Sequence, residues 1–589
     1  MRIPRLLALL LTLSVVAMSP AAVAQSTEQL IEQGNAALSA GKYTEAESIW
    51  RRVIEINPKN AIVYNNLGIT LSDQGKLEEA IAAFRQAIQL DPKFAPTYNG
   101  LGIALSKQGK LEEGIAAFRQ AIQLDPKLEI AYYNLGNGLS NQGKLDEAIA
   151  AFRQAIQVEP KFAAAYNELG IVLSHQGKLE EAIAAYRQAI QVEPKFAAAY
   201  NELGIALSKQ GKLKEGIAAF RQAIQLDPKL AIAYNGLGIA LKDQGKLDEA
   251  IAAFRQAIQL DPKLAIPYYN LGNGLSNQGK LEEAIAAFRQ AIQLEPKLAI
   301  AYNELGIVLS HQGKLDEAIA AFRQAIQLNP KLAIAYNGLG IALYHQGKLD
   351  EAIAAFRQVI QLNPKLAIAY NQMGIMLFEQ GKLDEAIAAY RQAIQVDPKF
   401  APAYNELGIA LSKQGKLEEA IAAYRQAIQL NQKYSIAYYN LGNGLYNQGK
   451  LEEAIAAYRQ AIQIDPKNTM AYSNLGSTLF EQGKLEEAIA TFRQAIQIDP
   501  KFVIGYYNLG ILLFKQGKLD EAIAAYRQVI QLNPKNAIAY YNLGFTLHQQ
   551  GKLEEAIKEY KQAIALDPKF MPAQTSLKEA ERQLAQRRN

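Results

Sequence analysis

The sequence predicts an all-α solenoid of tandem helix-turn-helix units, and three observations predict it. Proline, or a single glutamine in its place, recurs every 34 residues from Pro58 to Pro568. Each period carries two stretches of apolar residues at helical spacing. A glycine separates the two stretches, and the proline follows the second, which are stop signals for two short helices.

Taken in chain order, residues 1–26 stand apart from this pattern. Arg2 and Arg5 precede an apolar stretch from Leu6 to Met18, and Pro20 and the small triplet Ala22, Val23, Ala24 follow. This is the arrangement of a secretory signal peptide over 1–24, with cleavage expected after Ala24. The apolar stretch is shorter than the roughly 20 residues that cross a bilayer, and Pro20 opposes a continuous helix, so an uncleaved anchor is the weaker reading. No later stretch is apolar enough to span a membrane. The expectation is export, to a periplasm, a thylakoid lumen or the cell exterior.

From Thr27 to Phe570 the period fills the chain with 16 units and no insertion. In the unit Ala61–Phe94, AIVYNNLGITLSDQGKLEEAIAAFRQAIQLDPKF, the first helix carries Tyr64, Leu67, Gly68 and Leu71. The second carries Leu77, Ala80, Ile81, Phe84, Ala87 and Ile88. Gly75 is suited to the left-handed conformation that ends the first helix. Glu78 and Glu79 sit where the dipole of the second helix favours carboxylates, and Pro92 stops it. Gly68 and Ala80 let the two helices approach, while Tyr64 and Phe84 are expected to fill the space between adjacent pairs. Gln432 is the one departure from proline, and Asn431-Gln432-Lys433 is expected to be a softer joint.

The ends differ, as a solenoid requires of faces with no neighbour. In the first unit Gln33 and Tyr43 replace leucines and Trp50, the only tryptophan, takes the large aromatic position. After Phe570, Leu577, Ala580 and Leu584 form one stripe of an expected C-terminal capping helix over 571–589.

The combination Y-x2-LG-x2-L, A-x3-F, A and P at a period of 34 resembles the tetratricopeptide repeat (TPR), over residues 27–570. That resemblance implies a right-handed superhelical α-solenoid whose first helices line a concave groove. It also implies binding, not a reaction, so no cofactor is expected.

Composition agrees. Half the residues are apolar, enough for a large core. Lys and Arg number 62 against 57 Asp and Glu and are spread evenly, which argues against a nucleic-acid partner. With no cysteine, disulfides, thiolate catalysis and cysteine metal sites are excluded. His175, His311 and His345 occupy equivalent places near a helix end, and His548 lies one residue earlier in its unit. None has the partners of a metal site. Serines such as Ser72 and Ser106 have no base nearby, and no active site is visible.

The candidate binding residues are a column of asparagines on the first helices. Asn follows the recurring tyrosine of the unit at Asn65, Asn99, Asn167, Asn201 and Asn303, among others. A Tyr-Asn pair stands there at Tyr133 with Asn134, Tyr269 with Asn270, Tyr439 with Asn440, Tyr507 with Asn508 and Tyr541 with Asn542. Asn440, Asn474, Asn508 and Asn542 then form an unbroken series through four units, and Asn137, Asn273 and Asn443 lie one turn further on. An uncharged amide can donate to and accept from an extended peptide backbone of any sequence. The column resembles the asparagine ladder in the repeat domain of O-linked N-acetylglucosamine transferase. The alternative for each amide is a bond to the neighbouring unit or to water. Glu168, Glu202, Glu304 and Glu406 would either favour basic ligand segments or be solvated charges. Lysines are missing from the positions that a carboxylate clamp uses.

The sequence therefore points to an exported, non-enzymatic scaffold for extended peptide or protein partners. The alternative is an accessory to envelope polysaccharide or surface-fibre assembly or export, with the tyrosines contacting sugars.

Overall fold

The computed structural model describes residues 26–588; the expected signal peptide over 1–24 lies outside the described residues. All regular structure among the described residues is helical, in thirty-three helices. First helices of 13 residues, such as Ala61–Asp73, alternate with second helices of 14, such as Leu77–Leu90. The series ends with the 18-residue helix Met571–Arg588.

The chain forms two compact parts, one ending at Leu294 and one beginning at Glu295. In each part a helix packs on its chain neighbours, and further contacts join successive first helices, for example Ala61–Asp73 to Ala95–Lys107 and Ala367–Glu379 to Ala401–Lys413. The first helices therefore form the more closely set face of each part.

Local chemistry explains the repeat. Gly75 sits at φ 78°, where an L side chain would be strained, and this lets the Lys76 N–H donate to the Leu71 carbonyl at 2.9 Å and close the first helix. Lys76 offers the second helix no side-chain cap, so Glu78 and Glu79 in its first turn complement the dipole. The acid at that place has a second use. Gln176, in the turn of the next repeat, donates Nε2–H to Asp146 Oδ1 at 2.9 Å, and Gln142 does the same to Glu112 at 2.9 Å. Past the second helix, Asp91 Oδ1 accepts the Lys93 N–H at 3.0 Å across the proline.

The aromatic of each second helix makes the core. Phe84 is 1% exposed. A Cβ on Gly68 of its own repeat would stand 2.7 Å from its ring, and one on Gly100 of the next repeat 2.6 Å. The ring is thus clamped between two repeats, and a side chain at Gly68, whose place is glycine in all 16 units, would collide with it. Tyr64, expected in the same layer, is only half-buried. Its equivalent Tyr98 donates its hydroxyl to the Pro92 carbonyl at 3.2 Å, so this ring seats on the joint rather than between pairs.

Both ends of the described helices carry buried residues of their own. Trp50 is fully buried and donates Nε1–H to Thr70 Oγ1 of the next repeat at 3.1 Å. In Met571–Arg588, Ala573 and Ala580 are buried against the helices before it, with Leu577 and Leu584 half-buried. On the second helices, ion pairs recur one repeat apart, Arg51 to Glu79 at 2.9 Å and Arg323 to Glu351 at 2.8 Å among them. Their side chains are about half exposed or more, so each contributes roughly 0.2–1 kcal/mol at most.

Candidate ligand-binding face

Three places on most first helices reach solvent on the free side. The second residue is often isoleucine, and in four successive repeats Ile436, Met470, Ile504 and Ile538 are 48–55% exposed. The fifth and sixth residues carry the amides and tyrosines, and the ninth is isoleucine in ten repeats, as at Ile69, Ile205 and Ile409. An apolar row thus runs beside a polar one.

The structure divides the predicted asparagines into two groups. Asn65, Asn99, Asn167, Asn201, Asn270 and Asn303 are buried. Asn134, Asn137, Asn273, Asn440, Asn443, Asn474, Asn508 and Asn542 are half-buried. Many are engaged sideways. Asn134 Nδ2 donates to Asn99 Oδ1 at 3.0 Å, Asn270 to Asn235 at 2.9 Å and Asn440 to Asn405 at 2.9 Å, each bond joining adjacent repeats. Asn542 donates to the Tyr507 hydroxyl at 3.3 Å. A donor on the sixth residue meets an acceptor on the fifth residue of the repeat before, 35 positions away.

Where the sixth residue is glutamate, the fifth turns to it instead: Asn201 Nδ2 donates to Glu202 Oε1 at 3.0 Å and Asn303 to Glu304 at 3.1 Å. Burial pushes the carboxyls of Glu168, Glu202, Glu304 and Glu406 above their ordinary range, and the Glu202 charge adds to the effect on Glu168. They are half-buried, not freely solvated. The tyrosines are packed as well. Tyr133, Tyr439 and Tyr507 are half-buried against the second-helix rings of their own repeats, Tyr133 at 5.9 Å from Phe152, Tyr439 at 6.2 Å from Tyr458 and Tyr507 at 6.4 Å from Tyr526. Tyr269 stands 6.1 Å from Phe288 in the same way. His175, His311 and His345 are exposed at helix ends. Among the described residues no cluster of three or more metal-ligating side chains occurs.

One feature was missed in the sequence. In the second part, a cavity of about 400 Å³ is lined by Asn443, Tyr446, Asn447, Tyr458, Asn474, Ser477 and Thr478. It exists because two successive repeats lack the isoleucine of the ninth place, which is Asn443 in one and Ser477 in the next. This is the only place in the chain where two neighbouring repeats both do so. The same part replaces the serine of the twelfth place by rings at Tyr344, Phe378, Tyr446, Phe480 and Phe514. Each of several such rings meets a side chain from the next repeat. Tyr344 donates to Glu379 at 2.5 Å, Tyr446 donates to Glu481, and Lys413 lies 4.6 Å over Phe378. The signal was visible as substitutions in otherwise identical units, but their adjacency matters only once the repeats are stacked.

Among the described residues no helix is long and apolar enough to cross a membrane. Models described as TPR repeat match residues 70–109, 104–141, 476–517 and 512–551, and tetratricopeptide repeat models match 49–82, 457–490 and 537–570. A model described as the C-terminal domain of cilia and flagella-associated protein 70 matches 130–335 and 268–463, and together the matches run from 49 to 570 without a gap. No curated protein matches. Solved structures similar to the chain include the APC/C hetero-tetramer Cut9-Hcn1, 16% identical, covering 83% of this chain and 96% of that one with a TM-score of 0.43. YrrB, described as a TPR protein with an unusual peptide-binding site, is 26% identical over 33% of this chain and 99% of its own, with a TM-score of 0.30. MamA is 26% identical over 28% of this chain and 95% of its own, with a TM-score of 0.26.

Proposed function

The chain belongs to the tetratricopeptide-repeat family, and from that premise we propose that it is a non-enzymatic scaffold holding extended polypeptide along the free face of its first helices. The observation that carries this reading is the pairing of two rows on that face. The exposed Ile436, Met470, Ile504 and Ile538 can receive apolar side chains, while the half-buried amides of Asn440, Asn474, Asn508 and Asn542 meet the backbone between them. Helices in contact stand about 8–10 Å apart, which an extended strand covers in about three residues at roughly 3.3 Å each. A partner with an apolar residue at about every third position therefore matches the rows, and many weak contacts act together once the first has formed.

The amides that bridge repeats keep their second functions. Asn440 gives one N–H to Asn405, and its carbonyl oxygen stays available to a partner's N–H. Export follows from the arginines, apolar stretch and A-x-A triplet of residues 1–24 and is tested by fractionating a tagged chain. The binding reading is tested by measuring the affinity of an unstructured peptide library for two variants. One replaces Asn440, Asn474, Asn508 and Asn542 by alanine; the other replaces Ile504 and Ile538 by serine, which touches no bond between repeats. Losing several hydrogen bonds or apolar contacts should weaken peptide capture by about tenfold or more in each. Helix content by circular dichroism confirms that both variants are folded, and unchanged affinity in both removes the proposal.

A further inference from the structure

We propose that the cavity between Ser435–Asn447 and Thr469–Glu481 is a binding site for one ring of a neutral sugar, sharing Asn474 with the polar row of the proposed peptide face. Volume and chemistry both point there. About 400 Å³ is within the usual range of about 300–1,000 Å³ for small-molecule sites. Every lining group is uncharged, and the lining offers hydrogen-bonding groups of three kinds that a hydroxyl can use: amide, phenol and aliphatic hydroxyl.

The internal bonds of the wall leave the right atoms over. Asn443 Oδ1 accepts from the Tyr458 hydroxyl at 2.8 Å and from Asn474 Nδ2 at 2.8 Å, so both its lone pairs are engaged. Asn474 Nδ2 also donates to the Tyr439 hydroxyl at 3.3 Å. What remains is donor capacity on Asn443 Nδ2, acceptor capacity on Asn474 Oδ1, and a Ser477 hydroxyl able to do both. A sugar hydroxyl is itself donor and acceptor, so neighbouring hydroxyls on one ring can meet all three. Tyr446 is fixed by its bond to Glu481 and supplies a flat wall for the apolar face of the ring. A carboxylate, phosphate or ammonium group would find no opposite charge among the lining residues. An apolar side chain would leave the polar wall unpaired.

Other repeats show what a filled version of the place looks like. Ser477→Ile restores the residue that ten repeats carry at the ninth place, so it fills the cavity with a side chain the fold already accepts. Asn273→Ile makes the same kind of change in the first part and serves as the control. The full chain is titrated with oligomers of glucose, galactose, mannose and N-acetylglucosamine, read by calorimetry and by saturation-transfer NMR, and with the unstructured peptide library. The expected result is binding of at least one oligomer by the parent and by Asn273→Ile, weakened about tenfold or more in Ser477→Ile, which corresponds to a loss of roughly 1.4 kcal/mol or more. Sugar binding that Ser477→Ile leaves unchanged, or no binding of any oligomer, overturns the proposal. So does a peptide whose affinity falls in Ser477→Ile while no sugar binds, since that assigns the cavity to a polypeptide side chain.

Discussion

Glu168 and Glu202 occupy equivalent places in adjacent repeats, and burial raises both carboxyls above their ordinary value of 4.5. A raised value in the folded chain means that the fold holds the proton more tightly than the unfolded chain does. Their contribution to stability is therefore most favourable below the ordinary carboxylate range and declines as pH rises through the raised folded values. Replacing both by glutamine should raise the thermal midpoint at pH 7, with the difference from the parent vanishing toward about pH 4. A pH-independent difference, or destabilisation at pH 7, would contradict the burial argument. These two residues also show where reading a sequence stops. Their type and period were plain, but whether such a side chain is solvated depends on a neighbour 34 or 35 residues away. The same holds for Asn99 and Asn134, whose mutual bond is a property of stacking and not of either helix.

At the scale of one element, the joint without proline is the informative case. Asn431 ends its helix with φ −139° and ψ 94°, close to the −138° and 90° of Asp91 at a joint with proline. Its Oδ1 accepts the Lys433 N–H at 3.0 Å, the same bond that Asp91 makes to Lys93. The folded turn is thus held without the ring, and the proline's absence acts on the unfolded chain, which keeps more freedom at Gln432. Gln432→Pro should stabilise the adjoining repeats by about 0.4–1 kcal/mol, read as slower hydrogen exchange in Ser435–Asn447. No change in exchange there would show that the turn bond alone sets the joint. Helix positions, turn glycines and the clamped aromatic were legible from the period, because each rests on contacts inside one 34-residue unit or repeated identically between units. The cavity at Ser477 was not, because it arises from what two successive units both lack.

For the whole molecule, the described helices within each compact part touch near neighbours along the chain, so stability is approximately a sum over repeats and interfaces, and a single cooperative transition is not expected. The only tryptophan reports one end of the array. Trp50 is fully buried in the first repeat and tied to Thr70 of the second, and among the described residues the first repeat packs on the second alone. Its fluorescence should change at lower urea concentration than the helical circular dichroism of the full chain. Coincident transitions would show cooperativity far longer in range than these contacts provide.

The bond between Asn134 and Asn99 has a consequence for how such a gene can change length. Its donor and acceptor belong to different kinds of unit, as they do for Asn270 with Asn235 and Asn440 with Asn405. Any excision of 34 residues preserves the backbone register, yet it preserves these handshakes only when the new upstream module still offers a matching acceptor. Recombination within this locus is therefore constrained by a grammar of succession: modules are interchangeable as bricks but not as words in a sentence.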